Sequence, residues 1–138
     1  MGIDVVIRDR NGQCLAACSE QQEEVVIPEM AEAVAMRRAL KFAADEGQTN
    51  VIISSDCLSL VNRVSSREDD RSLCGPIVQD IREMAKSFSF CTFMHVRRGL
   101  NVPAHKLAKC SEFSGSSVWR GCAPDHICDD ICNDILIM

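Results

Sequence analysis

Short apolar runs divided by turn residues open the chain. Residues 3–7 are largely apolar, and residues 13–18 form a second apolar run. Between them stands Asn11-Gly12, a pair that tolerates the positive φ angles of a tight turn. The pattern predicts two antiparallel strands joined as a hairpin.

A long helix is predicted next, over residues 29–45. Pro28 and Glu29 introduce it, and Gly47 ends it. At about 100° per residue, one broad face of this helix is apolar. That face is formed by Ala35, Met36, Ala39, Leu40, Phe42 and Ala43. Arg37, Arg38 and Lys41 fall on the opposite face, and we interpret them as solvated surface residues.

The remaining pattern alternates strands and helices. Residues 51–55 form a β-branched apolar run that is typical of a strand covered on both faces. A short helix over 58–64, a polar loop over 65–72 and a helix over 76–86 follow. A strand over 88–96 and a final helix over 101–109, capped by Asn101, complete the series. The order ββ-α-β-α-α-β-α predicts an α/β fold with a mixed sheet.

The chain divides into a domain over residues 1–112 and a tail over residues 113–138. The tail is first rich in Gly and Ser, then in Cys and Asp, and it ends in the apolar run 135–138. Cys122, His126, Cys128 and Cys132 have metal-ligating side chains. Their spacing matches no standard zinc module, so we interpret them as reduced cysteines and disfavour a zinc site.

Composition limits the possible partners and compartments. The 138 residues carry a formal net charge of −5, which disfavours a protein that holds long nucleic acids through phosphate contacts alone. No apolar stretch is long enough to cross a membrane, and residues 1–10 lack a signal-peptide pattern, so we expect an intracellular protein of the cytoplasm or nucleus. Nine cysteines, an odd number without a regular framework, suggest buried apolar thiols and no disulfide scaffold.

Two carboxylates stand where chemistry is expected. Glu32 falls near the middle of the apolar helix face, where a carboxylate is costly unless it is paired, hydrogen-bonded or metal-bound. Asp56 directly follows an apolar strand, at the end where open α/β sheets place functional groups. Glu32 could instead remain solvated near the helix N-terminus, and Asp56 could be a helix N-cap. Together the two carboxylates could share a divalent metal such as Mg²⁺.

A local basic cluster is expected near the proposed site. Arg97 and Arg98 follow a predicted strand, and Lys106 and Lys109 lie on the next helix. They could contact phosphates or 2′-hydroxyls of a nucleic acid, or form an ordinary solvated surface.

Five motifs, in a characteristic order, resemble the plant reverse-transcriptase-like branch of the ribonuclease H superfamily, many members of which derive from retroelements. The motifs are Gly2-Ile3-x-Val5-Val6-Ile7-Arg8-Asp9-x-x-Gly12, Ala31-Glu32-Ala33-x-Ala35-x-x-x-Ala39-Leu40, Ser55-Asp56-Cys57, Gly75-Pro76-Ile77, and His95-Val96-x-Arg98-x-x-Asn101-x-x-Ala104-His105-x-Leu107-Ala108. The resemblance extends over residues 2–109. It implies a ribonuclease H-like mixed sheet flanked by helices.

The resemblance also implies an activity and a set of site residues. In this superfamily four acidic residues bind two Mg²⁺ ions, which serve the endonucleolytic hydrolysis of RNA in RNA/DNA hybrids. Glu32 and Asp56 take two of the metal-binding catalytic positions, and His105 takes a third catalytic position, where Mn²⁺ would suit it better than Mg²⁺. Arg97, Arg98, Asn101 and Lys106 are the residues expected to contact the nucleic acid.

The chain departs from the family pattern at its beginning. The first acidic residue of the family lies on a central strand that precedes residues 2–7, and that strand is missing here. Asp4 is a poor substitute, because the family usually has Gly there. The apolar run 135–138 could fill the gap, or the gene product could be truncated. We therefore expect the ribonuclease activity to be weak or lost. The alternative is a catalytically inert interaction module or a retroelement-derived remnant.

Overall fold

A computed structural model describes residues 2–9, 14–21, 27–97, 116–120 and 131–137. Within them, the elements are β1 (Gly2–Arg8), β2 (Cys14–Gln21), α1 (Pro28–Asp45), β3 (Asn50–Ser55), α2 (Leu58–Ser65), α3 (Gly75–Ala85), β4 (Phe90–His95), β5 (Ser116–Arg120) and β6 (Ile131–Ile137). Among these elements, no helix is long and apolar enough to span a membrane. The predicted helix over 101–109 lies outside the described residues.

The strands form one mixed six-stranded sheet, in the order β4-β3-β6-β1-β2-β5. The antiparallel pairing of β1 with β2 confirms the predicted hairpin arms, and β3 pairs with β4 in parallel. Parallel neighbours need a crossover connection, which α2 and α3 supply between β3 and β4. The predicted α/β fold, a mixed sheet with helices, is therefore confirmed.

The central position between β1 and β3 is occupied by β6, from the end of the chain. β6 runs parallel to β1, with Ile135 opposite Ile7, and antiparallel to β3, with Ile135 also opposite Ile53. Residues 113–138, which composition separated from the rest, thus contribute β6 to the centre of the sheet and β5 to its edge beside β2. Residues 135–138 were suggested from the sequence to fill this central position, and the structure places β6 there.

The core lies between the sheet and the apolar face of α1. All six residues of the predicted apolar face are buried, with exposed fractions from 0% to 2%. They pack with alternate residues of three strands, because successive strand residues point to opposite faces of a sheet. These strand residues include Ile3, Val5, Ile7, Ala16, Cys18, Val51 and Ile53.

On the outer side of α1, the interpretation of the basic residues as solvated surface is wrong for Arg38. Its side chain is only 19% exposed, and its Nε donates to Oε2 of Glu20 at 2.5 Å. Burial alone would lower the pKa of this guanidinium, but the hydrogen bond and the negative charge of Glu20 outweigh it and raise the pKa. Periodicity did not reveal the contact because β2 supplies the partner.

We expect Glu20→Ala to lower the free energy of unfolding by about 1–3 kcal/mol, since it leaves the largely buried guanidinium of Arg38 without its carboxylate. Asp80→Ala is the matched control. It breaks the more exposed Arg37–Asp80 pair, at 2.9 Å, and should cost less than about 1 kcal/mol. Urea denaturation measures both. Equal costs for the two variants would contradict the structural role assigned to Arg38.

Candidate nucleic-acid and metal site

The carboxyl ends of β3 and β4 bring two predicted site residues to one edge of the sheet. Ser55 pairs with His95 at the end of the parallel ladder, and the Val96 amide donates to the Ser55 carbonyl at 3.0 Å. Asp56 and Arg97 follow directly on these residues. Asp56 is partly exposed and Arg97 is exposed, so an acidic and a basic residue border the same end of the sheet.

Asp56 is not the N-cap residue of α2. The N-cap residue of α2 is Cys57, and no side chain caps this helix. The turn is held instead by Ser55, which is buried and whose Oγ accepts a hydrogen bond from the Cys57 amide at 3.1 Å. The interpretation of Asp56 as an N-cap is therefore wrong.

Glu32 occupies a half-buried position on α1. The helix begins at Pro28, so Glu32 is its fifth residue, and the acidic residue of the first turn is Glu29. Ala31 and Ala33, on either side of Glu32, are buried. This position is consistent with a carboxylate at the border between the core and the surface.

A polar contact between α1 and α2 was not predicted. The Ser59 hydroxyl donates to Oε1 of Glu29 at 3.0 Å, and Nε of Arg63 lies 3.3 Å from the same oxygen. The three residues carry no sequence signal, because the contacts join positions about thirty residues apart on separate helices.

The loop between α2 and α3 folds around Arg63. Nη1 of Arg63 donates to Ser72 Oγ at 2.8 Å, and its Nε lies 3.8 Å from Oδ2 of Asp70. Hydrogen bonds from the Ser72 hydroxyl and backbone amide lower the pKa of Asp70. Because the pKa of Asp70 is lower in the folded protein than in the unfolded chain, its ionised carboxylate stabilises the fold at pH values above the unfolded-state pKa. This stabilisation is lost as the pH falls through the folded-state pKa.

The other predicted site residues are not placed. Arg98, Asn101, His105 and Lys106 lie outside the described residues, as do Cys122, His126 and Cys128. Cys132 belongs to β6, where it stands opposite Asp4 of β1. The assignment of His105 as a catalytic group and of the basic residues as nucleic-acid contacts stays a prediction.

The expectation of buried apolar thiols holds for two of the four cysteines whose side chains the structure describes. Cys18, Cys57, Cys74 and Cys91 are reduced, and Cys18 and Cys74 are buried. Burial raises the pKa of Cys91 to about 11 and also raises that of Cys74, so these thiols remain protonated at neutral pH.

The described residues that could bind a metal ion suit Mg²⁺ only in part. In the described ranges, no group of three or more His, Cys, Asp or Glu side chains is close enough to hold a metal ion. Glu32 and Asp56 are nevertheless the type of ligand that Mg²⁺ uses, since it commonly binds one or two carboxylates together with water and substrate phosphate.

Comparison with known proteins places the chain in a family. A search among curated proteins gave no match. Among solved structures, ribonuclease H1 from the halophilic archaeon Halobacterium salinarum NRC-1 is 19% identical, with 71% of this chain and 89% of that chain covered, at a TM-score of 0.48. The sequence profile of the reverse transcriptase-like family matches residues 2–111, which is most of the chain. The chain belongs to the reverse transcriptase-like family.

Proposed function

We propose that this protein is a nucleic-acid-binding domain of ribonuclease H type, in which Glu32 and Asp56 form a reduced metal site. The observation that supports this most directly is the pairing of the ends of β3 and β4, which puts Asp56 and Arg97 at one edge of the sheet. A metal-binding carboxylate and a phosphate-binding cation at one edge suit a phosphodiester ligand.

The proposed substrate is the RNA strand of an RNA/DNA hybrid, which is the substrate implied by the family resemblance. Glu32 and Asp56 would hold Mg²⁺ or Mn²⁺. When bound, the ion would polarise a phosphoryl oxygen and lower the pKa of bound water. Arg97, Arg98, Asn101 and Lys106 would bind phosphates and 2′-hydroxyls and orient the strand. With two carboxylates in place of four, we expect weak hydrolysis or none.

Metal binding gives the first test. If Mn²⁺ binds the folded protein, free Mn²⁺ at about 30 times its Kd should add about 2 kcal/mol to the free energy of unfolding. Glu32→Gln should abolish this stabilisation, because an amide is a much weaker ligand. Thermal unfolding with and without MnCl₂ measures the effect. The control is Glu83→Gln, which changes an exposed carboxylate of α3 that pairs with Lys86; stabilisation lost equally in both variants would count against the site.

Cleavage and binding of a labelled RNA/DNA hybrid test the function itself. Cleavage that disappears in Asp56→Asn would show that the reduced site is catalytic. If the protein binds the hybrid without cleaving it, Arg97→Ala should weaken binding. The variant should also reduce the slope of log affinity against log salt concentration by about one, the value for one lost phosphate contact. These two results would support a binding domain. A folded protein that neither cleaves nor binds the hybrid would contradict the proposal.

An inert interaction module is the second candidate. It is favoured by the absence of a third metal ligand among the described residues and by the net charge of −5. In this case neither Mn²⁺ nor the hybrid should alter the unfolding temperature. The thermal experiment therefore separates the two candidates.

A further inference from the structure

The contact between α1 and α2 converges on one carboxylate oxygen, Oε1 of Glu29. Ser59 Oγ lies 3.0 Å from it and Arg63 Nε lies 3.3 Å from it. Ser59 and Arg63 are four residues apart on α2, so they lie on one face of that helix. The carboxylate of Glu29 therefore receives two donors from a single helix face.

This contact lies beside both candidate metal-binding residues. Glu29 precedes Glu32 by three residues on α1, and side chains at that spacing are neighbours on a helix. Ser59 follows Asp56 by three residues, in the first turn of α2. The contact therefore joins the helical turn that leads to Glu32 to the turn that leads away from Asp56.

Arg63 also contacts the loop after α2 and the helix α3. Its side chain contacts Ser72 and Asp70 in the loop that follows α2. Its carbonyl accepts hydrogen bonds from Arg82 of α3, with Nη2 at 2.5 Å and Nε at 3.2 Å. The Arg63 side chain is 34% exposed and that of Glu29 is 28% exposed, so their attraction adds little stability. The contacts instead restrict the position of α1 relative to α2.

We propose that Glu29 and Arg63 are positioning residues that set the separation of Glu32 and Asp56. The inference rests on the proposed function, because it concerns the same two carboxylates. A metal site must hold its ligands to within about 0.5 Å of the required geometry, so a contact of small energetic value can still determine affinity. Neither residue would touch the metal or the nucleic acid.

The test compares Mn²⁺ affinity in variants that alter this contact. Glu29→Ala should weaken Mn²⁺ binding about tenfold, the lower end of the effect seen for residues that orient metal ligands. Glu29→Gln keeps an oxygen that can accept from Ser59 and Arg63, so its loss should be smaller. Asp80→Ala is the control, since it breaks another pair that joins α1 to a neighbouring helix. It should leave the Mn²⁺ affinity within about twofold of the wild type. Titration calorimetry with MnCl₂ alone measures all three.

Hydrogen exchange in the metal-free protein provides a second measurement. Glu29→Ala should speed exchange of the amides of residues 31–34 and 61–64, which follow the joined turns, and Asp80→Ala should not. If the wild type shows no Glu32-dependent Mn²⁺ binding, the proposed metal site fails, and unchanged exchange in Glu29→Ala would overturn the positioning role separately. Wild-type Mn²⁺ affinity in Glu29→Ala would also overturn it, even if exchange were faster. If Glu29→Ala does not fold, Glu29→Gln and Arg63→Lys decide the question by the same two measurements.

Discussion

A chain that lacks residues 131–138 is expected to lose its cooperative unfolding transition. These residues include β6, which pairs with β1 on one side and with β3 on the other. Without β6, the facing backbone groups of β1 and β3 would lose their partners in the middle of the sheet. Each buried group left unpaired costs about 1–3 kcal/mol, and several together exceed the total stability of about 5–15 kcal/mol that is usual for a domain.

The hydrophobic core should fail along with the sheet. Val5, Val6 and Ile53 lie on the strands that border β6, and each is fully buried. Removal of the strand between them would expose these residues to water, at about 1.5–3 kcal/mol for each large side chain. We therefore expect near-ultraviolet circular dichroism to show no fixed tertiary structure and calorimetry to show no unfolding peak.

Substitutions within β6 separate the effect of the strand from the effect of chain length. Ile135→Pro removes a backbone donor from a central strand, where proline is essentially excluded, and should unfold the protein as the truncation does. Ile135→Val keeps the backbone donor and a β-branched residue type, so it should preserve the cooperative transition. A truncated chain that unfolds cooperatively at the wild-type temperature would show that β6 is not part of the sheet.

The second large effect is expected at Gly75. A Cβ atom at this position would lie 2.2 Å from the backbone carbonyl oxygen of Asp70, a separation that real Cβ atoms do not show. The backbone there cannot easily move, because Asp70 also binds the amide and hydroxyl of Ser72 and the Gly75 amide donates to the Ser72 carbonyl. We expect Gly75→Ala to lower the free energy of unfolding by about 3 kcal/mol, the upper range for overpacking.

Gly47 offers a matched comparison for this substitution. Its φ of +76° favours glycine, but a Cβ atom there would meet nothing within 4 Å. Gly47→Ala should therefore cost only about 1 kcal/mol, through backbone strain and not through a clash. Urea denaturation measures both variants. A smaller loss for Gly75→Ala than for Gly47→Ala would contradict the close approach of Asp70 to the start of α3.

Much of the fold could be predicted from local patterns. The apolar face of α1, the β-branched run of β3 and the apolar runs of β1 and β2 are contained in short segments, so periodicity was sufficient to identify them. Glu32 and Asp56 stood out for a related reason, since Glu32 interrupts a local apolar pattern and Asp56 directly follows one. The contacts of Glu29 with Ser59 and Arg63 left no such trace, because each partner alone is an ordinary polar surface residue.

The sequence by itself determined the elements from β1 to β4, with the three helices among them, and the α/β class to which they belong. Only the tertiary structure decided that β6 occupies the centre of the sheet, that Arg38 pairs with Glu20, and that Asp56 is not a helix cap. The physical reason is the range of the interactions involved. Helix and strand periodicity depends on neighbouring residues, whereas strand order and ion pairs depend on which distant segments meet once the core is buried.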